Sequence, residues 1–377
     1  QDPARKGKAR FGCVVLQMAA ALHSLPKGHL HYHLEPCMRD STLSALCEKY
    51  GVDREANPFL RVPRYYSSFD DFEGSVAATC FDLVREPRDI ERIISEMAED
   101  AIADGVVYIE PAFGAAGIFA ETWPMPSERA VWDVVLSAGK AAEAKTGVVI
   151  RWMVPAVRTL GPEAVMCTAQ LAVDMAKAGE PVVSFGLHAS EGCKLNGDGP
   201  FPPEDFEDAF RLATSAGLVS TPHAGEFLGA ASCRGAVERL GAARLLHGVR
   251  AMEDADTLDL LNRCRVCCDV CPTSNVLLRV VPCMENHPLP ILLRAGVPCS
   301  INVDDSLLFG KSINEEYTTA RDVLGLSNED LRCCARNSLL FSSLLLRAER
   351  GFHDGAVATI EAQIKAVDSW GQQELHH

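Results

Sequence analysis

"EPRDIERIISEMAEDAIADGVVYIEPAF", residues 86–113, contains the repeating unit of the chain. In its first part Ile90, Ile93, Ile94, Met97, Ala98 and Ile102 recur at the i, i+3, i+4 spacing of one buried helical face. Gly105 stands where such a helix would stop. From there "GVVYIEPAF" (105–113) is a short apolar run of strand length. A helix feeding directly into a buried strand is the unit from which parallel α/β sheets are made.

The pattern repeats in both directions. Strands are predicted at "GHLHYHL" (28–34), "GVVYIEPAF" (105–113), "GVVIRWMVPAV" (147–157), "PVVSFGLHA" (181–189), "GLVSTPHA" (217–224), "ARLLHG" (243–248), "VCCDVCP" (266–272) and "VPCSINVDD" (297–305). Helical stretches are predicted between them, at 127–146, 160–178, 203–216, 232–241 and 253–263. Eight such units imply a closed (β/α)8 TIM barrel. The longest interruption, 35–85, carries "FLRVPRYYSSFDDF" and suits a helical, lid-like insertion after the first strand. Its Tyr65, Tyr66, Phe69 and Phe72 could line the mouth or simply pack a helix on the barrel. Residues 25–377 are read as one barrel domain, preceded by an extension with a short helix at 1–24. Within that extension "ARKGKAR" followed by "FGCVVLQMAAAL" has the charge-then-apolar order of a signal peptide, the secondary reading of the segment.

Composition narrows the partners. Acidic residues outnumber basic ones 51 to 36, for a formal charge of −15, which disfavours nucleic acid and acidic membrane surfaces. No apolar run is long enough to span a bilayer. Fifteen cysteines without regular spacing suit a reducing cytoplasm better than a disulfide framework. "GKS" at 310–312 lacks the glycine a phosphate-binding loop needs five residues earlier, where Asp305 stands.

Candidate chemistry collects at the strand ends. His31 and His33 alternate along the first strand and so share a face. Taken alone, His-x-His is a weak sign of metal, and two ordinary polar residues at a strand end are the better account. The fifth strand ends in His223, with Glu226 three residues on, the sixth in His247, and the eighth in Asp304 and Asp305. Adjacent buried carboxylates repel, so a cation nearby would be favourable. The C-terminal ends of barrel strands are where catalytic groups converge. Three histidines and an aspartate form a mixed nitrogen and oxygen set suited to zinc. The cysteine-dense "NRCRVCCDVCP" (262–272) is read instead as core packing by thiols, because Cys267 and Cys268 point to opposite faces of a strand.

The stretches "LPKGHLHYHLE" (25–35), "PHAGE" (222–226), "LLHGVRAMED" (245–254), "CPTSN" (271–275) and "INVDDSLLFG" (301–310) together resemble the adenosine deaminase family of zinc aminohydrolases. The resemblance implies that His31, His33, His223 and Asp304 ligate one zinc ion. It implies hydroxide attack at C-6 of a 6-aminopurine nucleoside, with Glu226 protonating N-1. His247 would orient the hydroxide and stabilise its charge or take its proton, and Asp305 would hold the nucleophile or the purine. Adenosine is the default substrate so implied, with ammonia and an inosine-type product.

The departures fall where the family reads its substrate. Glu35 replaces the family's aspartate facing the ribose 5′ hydroxyl, as it also does in adenine deaminases. Ala189 replaces the glycine whose N–H approaches N-3, and His188 precedes it. Glu191 aligns with a family acidic residue and is expected to be structural. Deamination of free adenine, or of a modified nucleoside such as aminodeoxyfutalosine, is therefore the alternative. Two further classes are a bimetallic hydrolase, disfavoured because "SFGLHASEG" (184–192) lacks a bridging lysine, and a catalytically dead binding protein.

Overall fold

The structure, a computed structural model, describes residues 22–192 and 201–370. Most of the predicted N-terminal extension, residues 1–21, lies outside the described residues. The barrel strands are β1 (Lys27–His33), β2 (Val106–Ala112), β3 in two pieces (Val149–Ile150 and Trp152–Val157), β4 (Val182–His188), β5 (Val219–Ala224), β6 (Arg244–His247), β7 (Cys267–Val270) and β8 (Cys299–Ile301). They run in sequence order, each parallel to the next, and helices flank them. This is the (β/α)8 arrangement. No helix among the described residues is long and apolar enough to cross a membrane.

The helix Pro87–Ala103 shows how local sequence produces the unit. Ile90, Ile93, Ile94, Met97 and Ala98 are buried on the barrel, as their spacing predicts. Ile102 is not, being 46% exposed. At roughly 100° per residue, position 101 returns close to the azimuth of Ile90, whereas 102 is rotated about 120° away. Ala101 therefore completes the buried face. Gly105 then turns the chain into β2 at φ +74, and a Cβ there would lie 2.1 Å from the His23 carbonyl oxygen.

Two strands differ from expectation. The third breaks at Arg151, whose guanidinium pairs with Asp354 at 2.6 Å and with Glu143 at 3.0 Å. The eighth stops at Ile301, three residues before Asp304. Beyond it Asn302 Oδ1 accepts the Leu30 and His31 N–H groups at 2.8 and 3.1 Å, taking the place of a backbone ladder. The ring then closes through one backbone bridge between Tyr32 and Asp304. There the Asp304 N–H donates to His31 O, and the His33 N–H to Asp304 O, both at 3.2 Å.

The insertion between β1 and β2 carries the helices Asp40–Tyr50 and Phe69–Val76 and a π-turn at Ala77–Phe81. It is fastened to loops at the C-terminal end of the barrel. The buried Tyr66 donates its hydroxyl to Leu308 O at 3.1 Å. Phe72 stacks on Phe309 with centroids 5.7 Å apart, and Phe69 meets Phe227 edge-on at 5.2 Å. Tyr65 stands apart from this layer, 64% exposed.

Candidate active site

His31, His33, His223 and Asp304 converge at the C-terminal mouth, with one ligand-type atom from each lying within 4.8 Å of the others. How each side chain is held matters more than the proximity. His31 Nδ1 lies 3.2 Å from the Asp269 carbonyl oxygen, and His223 Nδ1 lies 3.1 Å from that of Leu187. His33 Nδ1 lies 3.1 Å from Asp305 Oδ1. Each Nδ1 faces an oxygen, which places hydrogen on that nitrogen and leaves the lone pair on Nε2.

The opposite edges have no such partners. His31 Nε2, His33 Nε2 and Asp304 Oδ1 are buried without a hydrogen bond. They crowd together, with Asp304 Oδ1 3.2 Å from His31 Nε2 and 3.5 Å from His33 Nε2. Asp304 Oδ2 is separately anchored by the Ser274 hydroxyl at 2.8 Å. Converging lone pairs with anchored outer edges could hold a cation, and the donor types fit zinc. Asp304 reaches this place in the left-handed region, at φ +72, as His247 does at φ +71. Such backbone in a non-glycine residue is held by its surroundings at some cost.

Beside the quartet, His247 Nε2 lies 3.4 Å from Glu226 Oε1 and 3.7 Å from Asp304 Oδ2. Burial, reinforced by the charges of Asp304, Glu191 and Asp305, pushes the Glu226 carboxyl well above its ordinary range. A carboxyl so placed stays protonated where an exposed one would ionise. Burial and the neighbouring imidazoles hold His223 and His188 well below the ordinary imidazole range.

Glu191 is structural, as expected. Its two oxygens accept the backbone N–H groups of Gly225, Glu226, Phe227 and Leu228 at 2.8–3.2 Å, together with the Ser232 hydroxyl. The loop that aims Glu226 is thus hung from one carboxylate. Gly225, at φ +65, is required here because a Cβ would lie 2.1 Å from Cys233 Sγ.

The predicted substrate-reading residues surround the same mouth. Glu35 is buried just past β1, and its Oε1 accepts the Gly114 and Ala115 N–H groups at 3.0 and 2.7 Å. Ala189 sits at φ +71, the left-handed conformation a glycine would adopt without strain. His188 stacks on His33 with centroids 4.6 Å apart, and its buried Nε2 has no hydrogen-bond partner. Asp305 faces His33 rather than open space.

The cysteine cluster divides. Cys267 and Cys268 are buried in β7, whereas Cys264, at a helix end, is exposed rather than inside the barrel. Cys271 touches the site, with Sγ 3.3 Å from His31 Nδ1. His31, His247 and Cys271 form a second close group. It makes a poor metal site: His31 Nδ1 carries hydrogen toward the Asp269 carbonyl, and burial pushes the Cys271 thiol well above its ordinary pKa. Sequence reasoning assigned no role to Ser274 or Asn275, although both lie in the quoted "CPTSN". It passed over His287 altogether.

The profile of the family described as adenosine deaminase matches residues 26–356. A putative adenosine/adenine deaminase of Streptomyces virginiae is 35% identical over 86% of this chain and 93% of its own length. The aminodeoxyfutalosine deaminase of Streptomyces coelicolor is 35% identical over 86% of this chain and 82% of its own. An adenine deaminase of a Chelativorans species is 33% identical over 84% and 93%. The crystal structure of adenine deaminase from Arthrobacter aurescens superposes with a TM-score of 0.77 at 24% identity, covering 92% of this chain and 99% of that one, and supports the fold.

Proposed function

Because this chain belongs to the adenosine deaminase family, we propose that it hydrolytically removes the 6-amino group of free adenine or of a modified adenosine, using one zinc ion held by His31, His33, His223 and Asp304. The observation that carries this reading is the orientation of the imidazoles. Each Nδ1 is turned to an oxygen, while the unpartnered Nε2 atoms of His31 and His33 meet Asp304 Oδ1.

Zinc held by His31, His33, His223 and Asp304 would supply the Lewis acidity that brings the pKa of a water towards neutrality. The remaining work falls to the protein. Glu226, kept protonated by burial, donates to ring nitrogen N-1 and makes C-6 more electrophilic. His247 orients the attacking water from the side of Glu226 and Asp304. Asp305 holds His33 through Nδ1, and Glu191 holds the Glu226 loop. Tyr66, Phe72, Phe69 and Phe227 form an apolar layer beside the mouth that limits water entry. Water supplies the oxygen that replaces nitrogen at C-6; one of its protons leaves with the amino group as ammonia, and the other restores Glu226, whose own proton stays on N-1.

Two features support adenine or a modified adenosine over adenosine. Glu35 spends Oε1 on the Gly114 and Ala115 backbone rather than leaving it for a sugar hydroxyl. Relatives named for adenine and for aminodeoxyfutalosine cover most of the chain. The test is the ultraviolet change on mixing purified protein with adenine, aminodeoxyfutalosine or adenosine. One of the first two should exceed adenosine in kcat/KM by at least about tenfold, roughly 1.4 kcal/mol of transition-state discrimination. Adenosine as the best substrate would overturn the assignment, and two tightly bound ions per chain would overturn the single-zinc reading.

A further inference from the structure

A chain of hydrogen bonds runs from the backbone to His247, and its direction is set at the far end. The Leu289 N–H points at His287 Nδ1, 3.2 Å away. A backbone N–H only donates, so His287 Nδ1 accepts and the neutral ring carries its hydrogen on Nε2. His287 is 3% exposed, and its burial lowers its pKa to about 3, which keeps the ring neutral. His287 Nε2 lies 3.1 Å from Asn275 Oδ1. This orients the amide, because the reverse placement would set two donors against each other. Asn275 Nδ2 then lies 3.1 Å from His247 Nδ1 and donates to it. Asn275 and His247 are 0% and 1% exposed, so water does not substitute for any link.

We propose that Asn275 and His287 are positioning residues which hold His247 as the Nε2–H tautomer, so that His247 serves the reaction as a hydrogen-bond donor and not as a proton acceptor. The inference rests on His247 acting in the reaction, as described above. With Nδ1 receiving the amide hydrogen, the remaining hydrogen sits on Nε2, the atom aimed at Glu226 and Asp304. An Nε2 that already bears hydrogen cannot take a proton from the attacking water. It can donate to the water oxygen and stabilise the charge that develops there. Of the two roles the family resemblance left open for His247, the relay selects the first.

The experiment combines histidine nitrogen NMR of the zinc-loaded protein with steady-state kinetics. The His247 signals are assigned by difference from His247→Gln. In the unaltered protein His247 should show hydrogen on Nε2 and a bare Nδ1, and the opposite pattern would overturn the proposal. Asn275→Asp is nearly isosteric but only accepts, so it should move the hydrogen to Nδ1. It should lower kcat by roughly 10²-fold or more, with KM changed only a few-fold and zinc retained. Unchanged kcat in a folded Asn275→Asp protein would also overturn it. Should that variant not fold, the His287 pair carries the test. His287→Gln retains a donor in the place of Nε2 and should keep most of the activity, which His287→Ala should lose. Equal loss in both would count against the relay. The underlying assumption fails separately: a His247→Gln enzyme as active as the parent would remove His247 from the chemistry while leaving the NMR result to stand.

Discussion

Two clusters of buried charge share this barrel, and they follow opposite rules. Inside the barrel, Arg244 at the start of β6 lies between Glu110 of β2 and Asp269 of β7, all three fully buried. Its guanidinium meets both Glu110 oxygens at 2.7 and 3.1 Å and faces Asp269 Oδ2 at 3.1 Å. Glu110 also accepts hydroxyl hydrogens from Tyr108, Ser184 and Ser343, and Asp269 accepts one from Ser300. At the mouth the outer edges are served with the same care, yet Nε2 of His31 and of His33 and Asp304 Oδ1 converge without hydrogen-bond partners, acceptor facing acceptor. Arg244 Nε and Asp269 Oδ2 lack an aligned hydrogen bond, yet they face each other as opposite charges, so each charge of this network is answered within it, as in a scaffold. A buried set that leaves matched ligand atoms unanswered calls for a further partner.

That contrast can be broken most sharply at the mouth. Glu226→Gln should lower kcat by about 10²–10⁴-fold with metal content unchanged, whereas His223→Ala should lose metal and activity together. An active Glu226→Gln enzyme would remove the acid from the scheme. In the Arg244 cluster the expected effect is on folding. Arg244→Met strands two buried carboxylates and should cost about 3–5 kcal/mol in denaturant unfolding, more than His223→Ala costs the metal-free protein. Equal losses would mean that both clusters are scaffold.

The next effect concerns pH. The folded-state pKa of Glu226 is raised, so its neutral form favours folding at low pH, and that contribution is lost as pH rises above the unfolded value near 4.3. Glutamine has no such dependence. The stability of Glu226→Gln relative to the parent should therefore grow between about pH 5 and pH 8, by at most about 1.4 kcal/mol per unit. A difference that does not change with pH would show that Glu226 is ionised in the fold. The smallest effect is expected from Ser274→Ala, which frees Asp304 Oδ2 and should weaken metal binding by about 10–100-fold in chelator competition. Unchanged affinity would mean that Asp304 is held without it.

Much of this was legible in the sequence because it depends on period and position. His31 and His33 share a face through simple alternation, and His223, His247 and the Asp304–Asp305 pair fall at or just past the ends of apolar runs. What could not be read depends on partners that carry no side-chain signature. The Nδ1 atoms of His31 and His223 are set by backbone carbonyls of Asp269 and Leu187, and any residue would supply those. Strand β8 looks apolar as far as Val303, yet the Asn302 side chain replaces the ladder after Ile301. Glu110, Arg244 and Asp269 were visible as charges inside apolar strands. Their pairing joins residues as much as 134 apart, a separation that local pattern does not bridge. His287 gave no signal, since its role comes only from a connection folding back on Asn275.

The barrel is a hoop, and its joint lies in an unusual place. Every other pair of adjacent strands is fastened by its own ladder, but β8 ends early and the ring is completed by the bridge between Tyr32 and Asp304. His31 and His33 stand on one lip of that joint and Asp304 on the other. An ion gripped by these residues would act as a rivet across the gap. Its departure and the slackening of the hoop would be a single event, so the tightness of the cylinder and its readiness for chemistry would rise and fall together.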